Sequence, residues 1–429
     1  MSIFTKRILS NSVWMIFEKV VGIFGLILVT SYVAKYIGPT NFGKITLATT
    51  LFTFVQTFTW FGNQEILFKR VSRNSKSGLQ YLHATQRIRQ VIFLLSSIPV
   101  LIWFYYYTDA LSFVFGLATA MASYFLVQDI YNIYNNALLQ SSINALSNVV
   151  GLGIALTIRY IIVMLKLDIA FLAIPIVLVS LLPFMLKRYI FNRQQAQDIC
   201  RTDKYNKYYL LAGSALVIST LSISLYTQVT NIFLVSLTNT YNLGIYSVAV
   251  TLGMSWGFIN QAVITSVLSG IYRQKDDYRA YQMTAKLNAF IIAISLLMIV
   301  SLVLFGPWLI NVLYGSAYQK AHSLVTIVAF ATLFSGLGTV SARIMIREQG
   351  YTYISKKMML VALSSIPIAY SCIYYAGLNG AAYSVLLIEL LSCTVFNYFY
   401  KDGLIFKIHF FPLFKQQLQA KYNIGATGV

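Results

Sequence analysis

Apolar and polar positions along this chain alternate in long blocks rather than single steps. Apolar runs of about 20 residues, the length that carries a helix across a bilayer, fall at 12–34, 42–65, 88–107, 110–133, 143–165, 169–190, 208–235, 244–270, 286–313, 323–345, 358–376 and 378–399. None shows the two-residue alternation of a barrel strand, and backbone at lipid depth must satisfy its own hydrogen bonds. The pattern therefore predicts twelve transmembrane helices.

Composition agrees: 58% of the residues are hydrophobic and 10% charged, against about 25% charged in a soluble domain. The net charge of +20 would suggest nucleic acid in a soluble protein, but here Lys and Arg sit in short segments between apolar runs, as topology demands. No nucleic-acid partner is expected. One face collects Lys6, Arg7, the run from Lys69 to Arg89, the run from Lys187 to Lys207, Arg273 to Lys286, Arg343 to Lys357 and Lys401 to Lys421. The other face holds only Lys35, Lys44, Lys166 and Lys320, while Lys19 and Arg159 fall inside runs. This asymmetry predicts a multi-pass membrane protein with both termini cytoplasmic.

The segments on the sparse face are all short and offer Asp109, Asp168 and little else. That argues against a membrane enzyme, whose chemistry needs a clustered set of acidic or basic groups outside the bilayer. Tyr105, Tyr106 and Tyr107 fit an interfacial aromatic belt. Cys200, Cys372 and Cys393 have no ligand spacing, and His83, His322 and His409 are scattered, so no metal site or cofactor is expected. Lys6 and Arg7 precede a run too long for the core of a cleaved signal peptide.

A faint repeat divides the chain. "NFGKITLATT" follows the first run and "NLGIYSVAVT" the seventh, so Asn41, Gly43, Ala48 and Thr50 recur as Asn242, Gly244, Ala249 and Thr251. Six is even, so two six-helix halves would share one orientation and enclose a cavity at their interface. The expected organisation is an all-α membrane protein with a lobe at 1–186, a basic linker at 187–207, a lobe at 208–400 and a tail at 401–429. The tail contains "KIHFFPLFKQQLQAKY", suited to the membrane interface but equally readable as an unstructured end.

Residues 11–62 carry a more specific signal: Asn11-Ser12, Trp14, a glycine-bearing helix, then Gly38-Pro39-x-x-Phe42-Gly43. This opening resembles bacterial polysaccharide transporters of the Wzx type, the O-antigen flippases. Residues 241–252 and the Tyr-Gly-x-x-Tyr segment at 314–318 resemble their second half. The resemblance implies the multidrug/oligosaccharidyl-lipid/polysaccharide exporter fold, a place in the bacterial cytoplasmic (inner) membrane, and outward movement of undecaprenyl-pyrophosphate-linked oligosaccharide. It also implies polysaccharide polymerase and chain-length regulator proteins as partners, besides membrane lipids. A cation-coupled multidrug exporter of the same superfamily is the alternative.

Glu18 and Lys19 stand side by side inside the first run, where each charge would cost roughly 2.5–3.5 kcal/mol in lipid. Neighbouring helical residues point about 100° apart, so at most one faces a given partner. Either they pair with other helices, Lys19 snorkelling to the interface, or they line a wet cavity. There Lys19 would attract a diphosphate, while Glu18 would either set the pKa of Lys19 or bind a coupling cation, Na+ or H+. Asp129, Arg159 and Glu389 are further intramembrane ionisable groups, candidates for function or for ion pairing. Sugar hydroxyls call for amides, hydroxyls and aromatic faces, which Tyr226, Gln228, Asn231, Trp256, Asn260 and Gln261 supply, with Gln56 and Asn63 on the second run. The resemblance places runs 1, 2, 7 and 8 around the cavity; interhelical hydrogen bonding is the competing role. Lys69, Arg70 and Arg273 stand where cytoplasmic entrances are expected.

Overall fold

The computed structural model describes residues 3–194 and 204–422. The middle of the basic linker, with Cys200 and Arg201, and the chain end beyond 422 lie outside the described residues. Among the described residues every regular element is a helix. Ten are long and apolar enough to cross a bilayer: Val13–Trp60, Gln86–Tyr107, Ala110–Ala137, Ser141–Met164, Ile169–Arg193, Thr220–Leu237, Thr240–Arg273, Asp277–Leu313, Ala321–Arg347 and Tyr351–Tyr398.

Two of these, Val13–Trp60 and Tyr351–Tyr398, are 48 residues long, more than twice the ~20 a crossing needs. Each breaks at a glycine of positive φ, Gly38 (φ 74, ψ 169) and Gly377 (φ 53, ψ −126). A side chain would be strained there. At the first break Pro39, with fixed φ and no N–H, is suited to begin the second segment. Each break falls between two of the apolar runs, so ten helices cover the segments that the pattern divides into twelve.

Lipid as solvent explains the surface. Phe290, Leu297, Leu304 and Phe305 on the Asp277–Leu313 helix are each more than half exposed, a patch that water would not tolerate. Inside, small residues let helices approach: Ala321, Ala329, Ala331 and Gly336 of Ala321–Arg347 are buried.

Packing divides the chain into two units, Met1–Leu225 and Tyr226–Val429. The boundary falls inside the Lys204–Leu237 helix because its first half is bonded into the first unit. The Tyr209 hydroxyl donates to the carbonyls of Thr59 (2.7 Å) and Trp60 (3.0 Å), and Asn63 Nδ2 donates to the Tyr209 carbonyl at 3.1 Å. Two residues counted as topology-setting loop cations are in fact buried. Lys187, expected to open the linker, lies within the Ala173–Gln194 helix and is 1% exposed, held by a carboxylate partner. Arg89 is also 1% exposed. It donates to Thr85 Oγ1 at 2.8 Å and the Leu82 carbonyl at 3.4 Å, and lies 5.6 Å from the Trp60 ring centroid. Its charge faces the C-terminal end of the Ser75–Ala84 helix, where the backbone dipole favours a cation.

In the second unit the tail is helical. Leu404–His409 and Phe411–Tyr422 pack on Asp277–Leu313 and bury Leu404, Ile405, Ile408, Phe411 and Leu418. Beside them Arg347 donates to Asp277 Oδ1 (2.7 Å), Glu348 Oε1 (2.7 Å) and the Gln274 carbonyl (3.0 Å), and Lys401 donates to Glu348 Oε2 at 2.9 Å. This chain of charges ties together the three connections around residues 274–277, 347–350 and 400–402.

Candidate functional site

The Ala110–Gln128 helix ends where Asp129 leaves helical geometry (φ −77, ψ 64). Its Oδ1 accepts the Asn132 N–H at 3.3 Å and so caps the short helix Ile130–Ala137. Oδ2 is thereby turned towards Lys187, whose Nζ donates to it at 2.5 Å. The pair is nearly sealed, with Asp129 8% and Lys187 1% exposed. Desolvating two charges is costly, so such a pair persists only where geometry and further hydrogen bonds support it.

An amide network provides that support. Asn144 Nδ2 donates to the Asn132 carbonyl (2.8 Å) and to Asn136 Oδ1 (2.9 Å), and its Oδ1 accepts from Asn135 at 2.9 Å. Asn11 Oδ1 accepts the Ser141 N–H at 2.7 Å, satisfying a free amide at the start of Ser141–Met164. Two turns along from Asn11, Glu18 Oε1 accepts from Asn148 Nδ2 at 2.5 Å. Asn11 and Glu18 thus fix the first helix against Ser141–Met164.

These groups enclose a cavity of about 240 Å³, lined by Glu18, Gly22, Leu126, Asp129, Asn132, Asn148, Val149, Leu152, Val179, Ser180, Pro183 and Lys187. Two carboxylates face one ammonium, with amide and hydroxyl oxygens between them. The volume admits several waters at about 30 Å³ each or a small cation. It falls below the roughly 300–1,000 Å³ of pockets that enclose drug-sized ligands, so an oligosaccharide does not fit. The arrangement offers carboxylate, amide and hydroxyl oxygens to a small cation near Glu18.

The family described as "Polysaccharide biosynthesis protein" matches residues 8–269, more than half of the chain. The chain belongs to this family. Among solved structures it is similar to the lipid II flippase MurJ in an inward closed conformation, with TM-score 0.73 and 14% identity over 98% of this chain and 94% of that one. A MOP-superfamily transporter from Pyrococcus furiosus, described as having a binding pocket of reversed polarity, gives 0.62 at 15% identity, covering 94% and 96%. An outward-facing multidrug resistance MATE transporter gives 0.61 at 14%, covering 97% and 96%. No curated protein matches the sequence. The shared fold is that of MOP-superfamily transporters, and this family member is a multi-pass membrane protein.

Of the residues expected at its site, the cavity brings together Glu18 and Asp129. Lys19 is exposed and lies outside it. Gln56 donates to Ser123 Oγ at 2.8 Å. Asn63 is 1% exposed and accepts from the Tyr81 hydroxyl at 2.5 Å, an interhelical role. Arg70 stacks over the Tyr81 ring at 4.8 Å. Arg159 Nη1 reaches Thr30 Oγ1 at 3.4 Å.

In the second unit Tyr226 lies within electrostatic range of Glu389, which is hydrogen-bonded to Ser335. Gln228 Oε1 accepts from Asn231 at 3.0 Å. Asn260 is 1% exposed, and neither atom of its amide has a hydrogen-bond partner among the described residues. Gln261 and Arg273 are exposed. Sequence reasoning missed Asn132, Asn148, Ser180 and Lys187. Two signals were available: the Asn-rich stretch 132–148 just past an apolar run, and the position of Lys187 inside the sixth run, ahead of its end at 190.

Proposed function

We propose that this protein is a flippase carrying undecaprenyl-pyrophosphate-linked oligosaccharide from the cytoplasmic to the periplasmic leaflet, by alternating access of its two halves and without covalent chemistry. Membership of the polysaccharide biosynthesis family carries this reading. The fold likeness to a lipid II flippase supports it, because that protein also moves a lipid-linked cargo. The Lys/Arg asymmetry supports cytoplasmic termini.

Glu18 and its cavity serve coupling in this scheme, and the cargo is held elsewhere. With the inside negative, each negative charge moved outward gains about 2.3 kcal/mol per 100 mV. A diphosphate is therefore helped across, and a bound cation chiefly resets the empty carrier. The MATE likeness keeps a cation-coupled drug exporter as the second reading, and the same cavity would serve it.

Deletion of the gene in its host separates the two. Loss of polymerised surface glycan, with lipid-linked repeat units retained in the cytoplasmic leaflet, is the expected outcome. Intact glycan with new drug sensitivity would replace the flippase by the exporter. In vesicles, collapsing the membrane potential at fixed ion gradients should slow flipping.

A further inference from the structure

At the end of the helices away from the basic segments, cations are scarce: the sequence keeps Lys35, Lys44, Lys166 and Lys320 there. Lys44 is paired with Asp109 at 2.7 Å. Lys35 and Lys166 both flank one seam in the first unit, where the first segment of Val13–Trp60 runs beside Ser141–Met164. Thr30 meets Arg159 at 3.4 Å, the Tyr32 and Tyr160 rings stack at 5.7 Å and 28°, and the Tyr36 hydroxyl donates to the Leu167 carbonyl at 2.8 Å.

Arg159 is the third cation of this seam. Its guanidinium offers five donors in a planar fork, yet among the described residues its contact with Thr30 is its one hydrogen bond, and no carboxylate lies within 4.0 Å of it. Five residues of helix, about 8 Å of rise, separate it from the seam's end at Met164. A charge left unpaired at that depth is expensive in hydrocarbon, and a planar fork matches a phosphoryl group with two parallel bonds. Lys35 stands one turn beyond Tyr32, and both are exposed on the same helix face. Lys166, also exposed, follows the end of the second helix.

We infer that this seam binds the phosphoryl headgroup of a lipid in the leaflet on its side, with Arg159 gripping the phosphoryl oxygens and Lys35 and Lys166 adding charge. The exposed faces of Tyr32 and Tyr160 then pack against the first part of the lipid's chain. Two lipids share this chemistry, a polyprenyl diphosphate and an anionic phospholipid. Assigning the first, the transported carrier, rests on the function proposed above.

The test is equilibrium binding to the purified full chain in phosphatidylcholine nanodiscs, using undecaprenyl diphosphate, phosphatidylglycerol and inorganic pyrophosphate as separate probes. Arg159→Gln should weaken binding of the phosphoryl lipids tenfold or more, Arg159→Lys should retain part of it, and Lys35→Gln should weaken it severalfold. Preference for undecaprenyl diphosphate over phosphatidylglycerol supports the carrier as occupant, and the reverse preference supports the phospholipid. Undiminished binding of both lipids to Arg159→Gln, with thermal unfolding unchanged, overturns the site. Pyrophosphate binding as tightly as either lipid overturns its lipid character. If the deletion strain keeps its surface glycan while Arg159→Gln still loses phosphatidylglycerol, the flippase reading fails and the seam stands.

Discussion

In the first unit Asp129 and Lys187 pair at 2.5 Å with 8% and 1% of their side chains exposed; in the second, Arg347 bonds Asp277 at 2.7 Å with 12% and 42% exposed. Both contacts join segments far apart in sequence, and both have good geometry. The difference lies in what replaces them when one partner is removed. Water reaches Asp277 and Lys401, so a vacated charge there is resolvated. Lys187 is 1% exposed and Asp129 8%, so either charge without the other would remain buried and poorly solvated. The first unit therefore tolerates the loss of one partner alone poorly, while the second uses its network as a brace.

The widest separation between the two should come from single truncations. Lys187→Met should cost about 3–5 kcal/mol, the range for breaking a buried pair from one side. The double variant Asp129→Leu/Lys187→Met should recover most of that loss, because replacing both charges by apolar groups is often neutral. Denaturant titration in mixed micelles reads both. A double variant as unstable as the single one would mean that the helix break at Asp129, rather than charge pairing, is what matters.

Acid should loosen the second unit through His409. Its ring is bonded to Ser341 Oγ (3.2 Å) and the Tyr398 hydroxyl (3.1 Å), and burial pushes its pKa down to about 4. The unfolded ring takes its proton near 6.5, so between the two values the unfolded chain binds more protons. The stability contributed by the neutral ring is whole above about pH 6.5 and is lost as pH falls towards 4, by at most about 1.4 kcal/mol per pH unit. His409→Gln should flatten thermal unfolding midpoints across that window, and an unchanged slope would exonerate the ring.

Arg347→Met should cost less, about 1–2 kcal/mol, on the scale of hydrogen bonds to charged groups. Its loss frees the 274–277 and 347–350 connections, which faster amide exchange at Gln274 and Lys275 would report. A loss as large as that of Lys187→Met would erase the contrast between the two units.

The repeating apolar runs made the helices legible in the sequence, because lipid leaves so few alternatives to a helix, and Gly38-Pro39 could be recognised as a break for reasons of backbone geometry. Charge was harder to read. Counting cations by face treats every Lys or Arg near the end of a run as solvated, and that rule conceals Lys187, whose partner Asp129 is far away in the chain, and Arg89, which is bonded to Thr85 and Leu82 of the preceding turns. Glu18 and Asp129 could be singled out as misplaced charges, but not as neighbours: what joins them is the Asn132–Asn144–Asn148 amide set, and a single asparagine in a membrane helix looks the same whether it bonds a carboxylate or another helix. Asn63 illustrates the opposite case, a plausible sugar ligand occupied by Tyr81 and Tyr209.

The smallest expected effect sharpens the contrast most cleanly, because it keeps the residue types and changes only their surroundings. Lys44 and Asp109, also in the first unit, pair at 2.7 Å, but their side chains are 15% and 52% exposed. Partial burial pushes the Asp109 carboxyl up, yet hydrogen bonds from Lys44 and Ser112 outweigh it and hold the pKa below the ordinary value. The contribution is therefore present above about pH 3.9, the value for a free carboxyl, and fades as pH falls below it. Lys44→Gln should cost about 0.2–1 kcal/mol, the range for exposed pairs, and 1 M salt, which shortens screening to about 3 Å, should remove most of that. The same salt should change the cost of Lys187→Met far less, because buried pairs are screened much less than exposed ones. Equal salt sensitivity in the two variants would mean that the Asp129–Lys187 pair is as well solvated as the Lys44–Asp109 pair.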